Sequence, residues 1–564
     1  MKHLKTVVCS IAATLALTGC DLVENEKKVE VEKEVNVLVE DNGIKNSPKA
    51  LNWFAEGRAE VASAQEVAAA INNTKGAAKN VILFIGDGMG VSTVTAARIL
   101  EGQTLGKEGE DHQLSFEKFP FSGFVKTYNT NQQTPDSAGT VTAMMSGVKT
   151  KAGVLGVSSS VTRLDCESSQ GIELRTALEL AEIAGKATGV ISTARITHAT
   201  PAGAYSKSAD RNWEDISDMG DQADKGCLDI ADQLINFESL LENAVNAGED
   251  HENIDGLEIV MGGGRRHFLP KDSAFNVELP AESGAEGDRT DGRDLTAEWK
   301  AQYPEGAVVH TQAEFDALTG NESKVLGLFN ESHMLYEADR GNDIGGEPSL
   351  SEMTSKAVDY LKKDEDGFFL MVEAGRIDHG HHAGTAYNAL TDTVEFAKAV
   401  QDTIAKVDLN ETLIIVTADH SHVFTIAGYP TRGNPILGKV VENNSDGTAK
   451  TEPVLATDDL PYTTVGYTNG LGFADLGAET NGDARYGLEG ATGRQDISAV
   501  DTEAPGYHQE ALVPLSAETH AGEDVGVYAV GPGAHLLTGT NEQTLVFHVM
   551  NYAADLLDLA TAEL

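Results

Sequence analysis

Basic residues are scarce in this sequence: 42 lysines and arginines stand against 88 aspartates and glutamates, a formal charge of −46 over 564 residues. Nucleic acid is held by dense Lys and Arg, so this balance argues against a nucleic-acid-binding surface. Such acidity reads as a solvated surface kept soluble by its own charge, and an anionic substrate would need metal ions to reverse the local field. Aromatic residues are few, at 6%, whereas glycines number 57, which fits an α/β protein with many tight loops better than an aromatic-rich sandwich. No internal repeat is visible. The Gly262-Gly263-Gly264 cluster lacks the rest of a dinucleotide fingerprint and reads as a turn.

Cysteines number only four. Cys9 lies in a short apolar run, Ile11 to Leu17 at its heart, preceded by Lys2 and Lys5; too short to span a membrane, it reads as a signal peptide over residues 1–19. Leu17-Thr18-Gly19-Cys20 resembles the bacterial lipobox, in which Cys20 becomes the lipid-bearing first residue, the alternative being a chance small-residue cleavage site. Residues 20–50, rich in Glu, Lys, Asn and Val, then read as a tether. These features place the mature protein in the periplasm or outside the cell, lipid-anchored to a bacterial membrane. In that oxidising setting Cys166 and Cys227 are expected to pair, two separate buried thiols being the alternative.

A body of catalytic appearance is expected over 51–420 and 514–564. Val81 to Ile85 is a continuous apolar run that ends in Gly86-Asp87-Gly88-Met89-Gly90 and precedes a helix through Leu100. Similar runs recur at Gly189–Ser192, Phe368–Val372 and Leu413–Val416, the pattern of parallel strands covered on both faces. Leu390, Val394, Ala397, Val400 and Ile404 step by three and four, as in an amphipathic crossover helix. The expected fold is α/β, a doubly wound and mostly parallel central sheet flanked by helices, with ligands beyond the carboxyl ends of the strands. Gly-, Asn-, Thr- and Pro-rich sequence over 421–513 reads as an inserted subdomain, and Val525–Val530 returns to a strand.

Several strands lead into acids: Asp87, Glu373 followed by Asp378, and Asp419. Any one of them alone reads as a helix cap. The same loops, however, supply His382, His420 and His520, and Asp with His is a zinc ligand set. Asp378 and His382 are four apart, so one helical turn aims both at one ion. Ser137, in Thr134-Pro135-Asp136-Ser137-Ala138-Gly139, opens a helix through Ser146. A serine there is an ordinary cap, but helix-end N–H groups and a nearby metal would also stabilise its alkoxide and a phosphate. No Gly-x-Ser-x-Gly surrounds it, so activation would come from metal.

Taken together, Gly86–Gly90, Asp136-Ser137-Ala138, His198–Gly203, Arg211-Asn212-Trp213, Val372–His382, Thr417–His422 and Glu518–Asp524 resemble the alkaline phosphatase family, chiefly its animal branch. The resemblance implies hydrolysis of small phosphomonoesters through a phosphoserine at Ser137, with two zinc ions and one magnesium ion per subunit. It makes Asp378, His382 and His520 ligands of one zinc, and Asp87, Asp419 and His420 ligands of the other. Magnesium falls to Asp87, Thr200 and Glu373, with His198 and His379 beside the metals. Arg211, oriented by Asp136, becomes the clamp on phosphate, and Cys166 and Cys227 stand where a family disulfide is expected. Three divalent ions and Arg211 then outweigh the carboxylates of Asp87, Asp136, Glu373, Asp378 and Asp419, which is how so acidic a chain can hold phosphate. A homodimer is implied, with residues 421–513 as the family's crown at its interface. The chain departs from the animal branch at Asn330, where the family offers an acid near a calcium site, which counts against calcium. It also ends without a hydrophobic anchoring tail, leaving Cys20 as the anchor. Two other readings are a phosphodiesterase or sulfatase sharing the ligand set, and a noncatalytic surface lipoprotein that binds metal for structure. Three ligands per zinc leave an open position and favour catalysis.

Overall fold

Strands that carry apolar residues at every position cannot show one face to water, and three of them form the centre of this protein. A computed structural model describes residues 74–245, 253–278, 283–489 and 491–564, together with positions 52, 54, 55, 57–59 and 61. The signal peptide, Cys20 and the tether lie outside the described residues. The central strands are β1 (Asn80–Gly86), β2 (Phe121–Lys126), β3 (Ala187–Arg195), β4 (Ile259–Gly263), β5 (Ala307–Val309), β6 (Val325–Leu328), β7 (Phe368–Ala374), β8 (Thr412–Ala418), β9 (Val525–Val530) and β10 (Gly539–Glu542). They form one ten-stranded sheet in the order β10-β2-β9-β8-β1-β7-β3-β4-β6-β5. All strands from β8 through β1, β7, β3, β4 and β6 to β5 pair in parallel, and β9 alone opposes its two neighbours. Every residue of β1, β7 and β8 is buried, as their unbroken apolar runs require. The sheet is thus mixed and mostly parallel, with helices on both faces.

The helices around this sheet include α1 (Val91–Thr104), α2 (Ser137–Ser146), α3 (Ala199–Tyr205), α4 (Leu350–Leu361), α5 (Arg376–His382), α6 (Ala386–Ile404) and α7 (Leu545–Ala554). Crossover helix α6 connects β7 to β8 past β1 and is capped at its start by Thr385, whose hydroxyl accepts from the N–H of Asn388. Its buried face is wider than the expected stripe. Leu390, Ala397 and Val400 are buried, but so are Thr393 and Phe396, while Val394 and Ile404 are only partly covered. The reason is packing on several sides: Phe396 meets Phe84 of β1 and Phe116 with ring centroids 5.8 and 6.0 Å apart. Of the glycine cluster read as a turn, Gly262 and Gly263 belong to β4, and only Gly264, at φ +95°, turns the chain.

Because β1 lies between β7 and β8, the loops after these three strands open side by side at the carboxyl edge of the sheet. Residues 421–513 hold short strands in small sheets, Phe424–Ile426 with Val465–Gly470 and Ala474–Asp475 with Tyr507–His508. They reach back to the body where Asp483 receives hydrogen bonds from Arg376 and Tyr336, both at 2.7 Å. The expected Cys166–Cys227 disulfide is formed, with Cα atoms 5.9 Å apart. Near the N-terminus Phe54 is buried against Phe547 and His548 of α7.

Candidate metal and phosphate site

At the carboxyl edge of β1, Asp87 follows the last strand residue, and Gly88 turns the chain at φ +67°. A Cβ on Gly88 would stand 2.3 Å from the His422 ring, so only glycine lets the two loops meet. From β8 come Asp419 and His420, and from β7 comes Glu373, whose register partner on β3 is Ser192. The Ser192 hydroxyl donates a very short hydrogen bond to Glu373. Helix α5 carries Asp378 and His382 on one turn, as the spacing of four requires. His520 arrives from the segment before β9, which pairs with Ser421-His422. Every site residue expected from the sequence, other than Cys20, is therefore among the described residues, and those tied to metal or phosphate gather in one cleft.

Three ligand atoms form a nearly equilateral set. Nε2 of His382 and Nε2 of His520 are 3.1 Å apart, and each lies 3.3 Å from Oδ1 of Asp378. Nδ1 of His382 faces the carbonyl of Glu518 at 2.6 Å, and Nδ1 of His520 faces the carbonyl of Pro135 at 2.8 Å. Carbonyls only accept, so both Nδ1 atoms carry the proton and both Nε2 lone pairs point at each other and at a carboxylate. Such an arrangement suits a cation at its centre. Ligand atoms on a tetrahedral zinc stand about 3.3 Å from one another, given bonds of about 2.0 Å.

A second set surrounds His420, whose Nε2 lies 3.4 Å from Oδ1 of Asp87, 3.3 Å from Oδ2 of Asp419 and 3.1 Å from Oγ of Ser137. A third groups Asp87, His198 and Glu373. Both oxygens of Asp87, Oε1 of Glu373, Oδ2 of Asp419 and the Thr200 hydroxyl of α3 are buried without a hydrogen-bond partner. Buried polar atoms are normally satisfied, so oxygens left unpaired in one place fit hard or borderline cations. Burial and the neighbouring Asp419 push the carboxyl of Asp87 well above the usual range, and burial raises Asp419 too. Burial, reinforced by Asp419, lifts Glu373 to about 7. Carboxylates crowded in this way would be relieved by positive ions.

Ser137 is the first residue of α2, and the cap itself is Asp136, whose Oδ1 accepts from the N–H of Gly139 at 3.1 Å. The other oxygen of Asp136 accepts from Gly153 N–H at 2.8 Å and from Arg211 at 3.3 Å. Arg211 also donates to Nε2 of His198 at 3.0 Å, so its guanidinium is held from two sides. Burial, then Arg211 and Arg195, hold the pKa of His198 well below the ordinary imidazole value, leaving it neutral. His379 lies beside the ligand set, its Nε2 4.0 Å from Oδ2 of Asp378; Arg376 donates to its Nδ1 at 2.9 Å, and burial lowers its pKa to about 3.

Two functional neighbours lay within the quoted motifs but were not singled out from the sequence. His422 faces Asp378 Oδ1 at 2.7 Å through Nε2 and Glu518 Oε2 at 2.5 Å through Nδ1. Burial opposes its charge, but Glu518 and Asp378 outweigh burial and raise its pKa to about 10. A doubly protonated ring cannot bind metal, so His422 instead fixes the carboxylate of Asp378 from behind. Its spacing two residues beyond His420 was the only signal in the sequence. Glu518 offered none, since its partners come from α5 and from beyond β8.

Comparison with known proteins agrees with this geometry. The sequence model of the family described as "Alkaline phosphatase" matches residues 78–556. The tissue-nonspecific alkaline phosphatase isozyme of Gallus gallus is 45% identical over 482 residues, covering 85% of this chain and 84% of that protein. The isozyme of Homo sapiens is 44% identical over 483 residues, with 85% and 84% covered. Among solved structures, the alkaline phosphatase of Thermus thermophilus is similar with a TM-score of 0.55 and 25% identity, covering 86% of this chain and 93% of that one.

Proposed function

Since this chain belongs to the alkaline phosphatase family and is a metal-dependent phosphomonoesterase, we propose that it works through a phosphoserine at Ser137, with two zinc ions and one magnesium ion. Asp378, His382 and His520 would hold one zinc, Asp87, Asp419 and His420 the other, and Asp87, Thr200 and Glu373 the magnesium. The observation that carries this reading is the pair of inward-facing Nε2 lone pairs on His382 and His520, 3.1 Å apart beside Asp378. When bound, such ions act as Lewis acids that lower the pKa of a hydroxyl and neutralise charge on phosphoryl oxygens.

Ser137 attacks phosphorus with Oγ as the bond to the leaving oxygen breaks, and the alcohol departs with a proton. Water then attacks the same phosphorus from the vacated side, the Oγ–P bond breaks, and inorganic phosphate leaves with Ser137 restored. Arg211, fixed by Asp136 and His198, can hold two nonbridging oxygens in its planar fork. The first N–H groups of α2 face the same charge. His422 and Glu518 keep the Asp378 and His382 side chains in place.

Comparing release from a phosphomonoester, a phosphodiester and a sulfate ester by the wild type and Ser137→Ala tests the reading. The monoester is expected to be the fastest substrate, and Ser137→Ala to lose at least about a thousandfold in rate while keeping its metals. A diester turned over faster than the monoester, or full activity in Ser137→Ala, would overturn it.

Around this core, the lipobox sequence supports a lipid anchor at Cys20 and a periplasmic or extracellular home. Residues 421–513 are read as a crown at the interface of a homodimer. Asn330, which donates toward Asp343 at 3.4 Å, still counts against a family-type calcium site near Glu347.

A further inference from the structure

Helix α5, which carries Asp378 and His382, is anchored from a distant part of the chain. It is seven residues long, and its cap, Gly375, offers no side chain to the first N–H groups, so tertiary contacts must hold its start. Its first residue, Arg376, is only 3% exposed, and the guanidinium carbon lies 3.7 Å from the centroid of the Tyr336 ring. Nη1 donates to Nδ1 of His379 at 2.9 Å, Nη2 donates to Oδ2 of Asp483 at 2.7 Å, and Nε makes no hydrogen bond. Among the described residues, Asp483 is the only carboxylate in salt-bridge contact with this cation. Oδ1 of Asp483 accepts from the Tyr336 hydroxyl at 2.7 Å. Carboxylate, ring and guanidinium thus close on one another, from the inserted segment, the loop after β6 and α5. Asp483 is itself held: the Asn481 side chain accepts from its N–H at 3.0 Å, and Asn388 of α6 donates to the carbonyl of Thr480 at 2.8 Å. Between them, Gly482 packs so closely on the cap of α6 that a Cβ would stand 2.7 Å from Cγ2 of Thr385.

We propose that Asp483 is a positioning residue for the zinc set of Asp378, His382 and His520: by holding Arg376 against Tyr336 it fixes the rotation of α5, and with it the directions of Asp378 and His382. The inference rests on the reading that those three residues hold zinc. Asp378 lies two residues and His382 six residues beyond Arg376, on a helix of about two turns, so a slip of the first turn carries both ligands with it. A buried charge that loses its partner is strongly unfavourable. Without the carboxylate of Asp483, the guanidinium would turn toward water and take the start of α5 along. The inserted segment would in this way set the geometry of a metal set to which it contributes no ligand.

The test is zinc affinity, measured by competition with a chromophoric chelator on the full metal-free chain, for wild type, Asp483→Ala, Asp483→Asn and His382→Ala. Asp483→Ala is expected to bind one zinc about tenfold more weakly and to leave the other unchanged. Asp483→Asn keeps an acceptor for Arg376 and a partner for Tyr336, and should stay close to wild type. The Asp483 side chain is 39% exposed, so both variants leave the core intact. Equal affinity in wild type and Asp483→Ala beside a weakened His382→Ala would overturn the positioning role and leave the ligand reading standing. So would Asp483→Asn as weak as Asp483→Ala, or a loss in Asp483→Ala shared equally by both zinc ions, which is what mere loosening of the fold produces. Unchanged affinity in His382→Ala would overturn the ligand reading and the positioning role together.

Discussion

His422 illustrates how much of this site depends on residues that never touch the substrate. Carboxylates at both of its nitrogens keep it charged, and through Nε2 it fixes Asp378 Oδ1, the atom shared with His382 and His520. Partners behind metal ligands typically govern affinity by about 10- to 100-fold. His422→Gln is therefore expected to need about that much more zinc for half-maximal activity, with the rate recovering in excess zinc; unchanged zinc dependence would leave His422 without a positioning role. The gathering of the proposed ligands was legible in the sequence because Asp and His cluster just after apolar runs, and because Asp378 and His382 share a helical turn. The Glu518–His422–Asp378 chain was not, since its three members are brought together only by the pairing of His520-Ala521 with Ser421-His422.

At the scale of elements, the loops that follow β1 and β8 are in contact through a glycine. With φ at +67° and a methyl group driven to 2.3 Å from the His422 ring, Gly88→Ala meets both a backbone and a steric penalty. The expected outcome is a loss of more than about 1 kcal/mol in denaturant unfolding, together with a fall in activity. A variant as stable as wild type would mean that the loops can separate without cost. The central strands were readable because burial on both faces leaves an unbroken apolar run, and each strand begins and ends close to its run. The width of the buried face of α6 was not, because a stripe read from one helix knows nothing of Phe84 and Phe116 packing on it from other elements. Gly262 and Gly263 misled for a related reason: they sit in β4 where the backbones of β3 and of Ser332 come too close for side chains.

Across the whole molecule, acid should loosen the fold through histidines far from the metals. His548 is buried beside Phe54 and Phe547, and burial, aided by Arg58, lowers its pKa to about 3. A depressed folded pKa means that the folded state takes up fewer protons than the unfolded chain. Its stabilising contribution is thus complete above the unfolded value of about 6.5 and is lost as pH falls toward 3. Between pH 7.5 and pH 5, His548 alone should account for roughly 2 kcal/mol of lost stability. Wild type should therefore weaken by about that much more than His548→Leu in denaturant melts of metal-free protein, and equal losses would show that the ring is protonated when folded. At this same scale, the proposed turnover rests on one hydroxyl, on the first residue of α2, that would carry the phosphoryl group between substrate and water. It is probed most directly by acid quenching of metal-replete enzyme during turnover of a labelled phosphomonoester, followed by peptide mapping. Label is expected on Ser137 alone, approaching one per chain; label on another residue, or none on a chain that still turns over, would rule out the phosphoserine route.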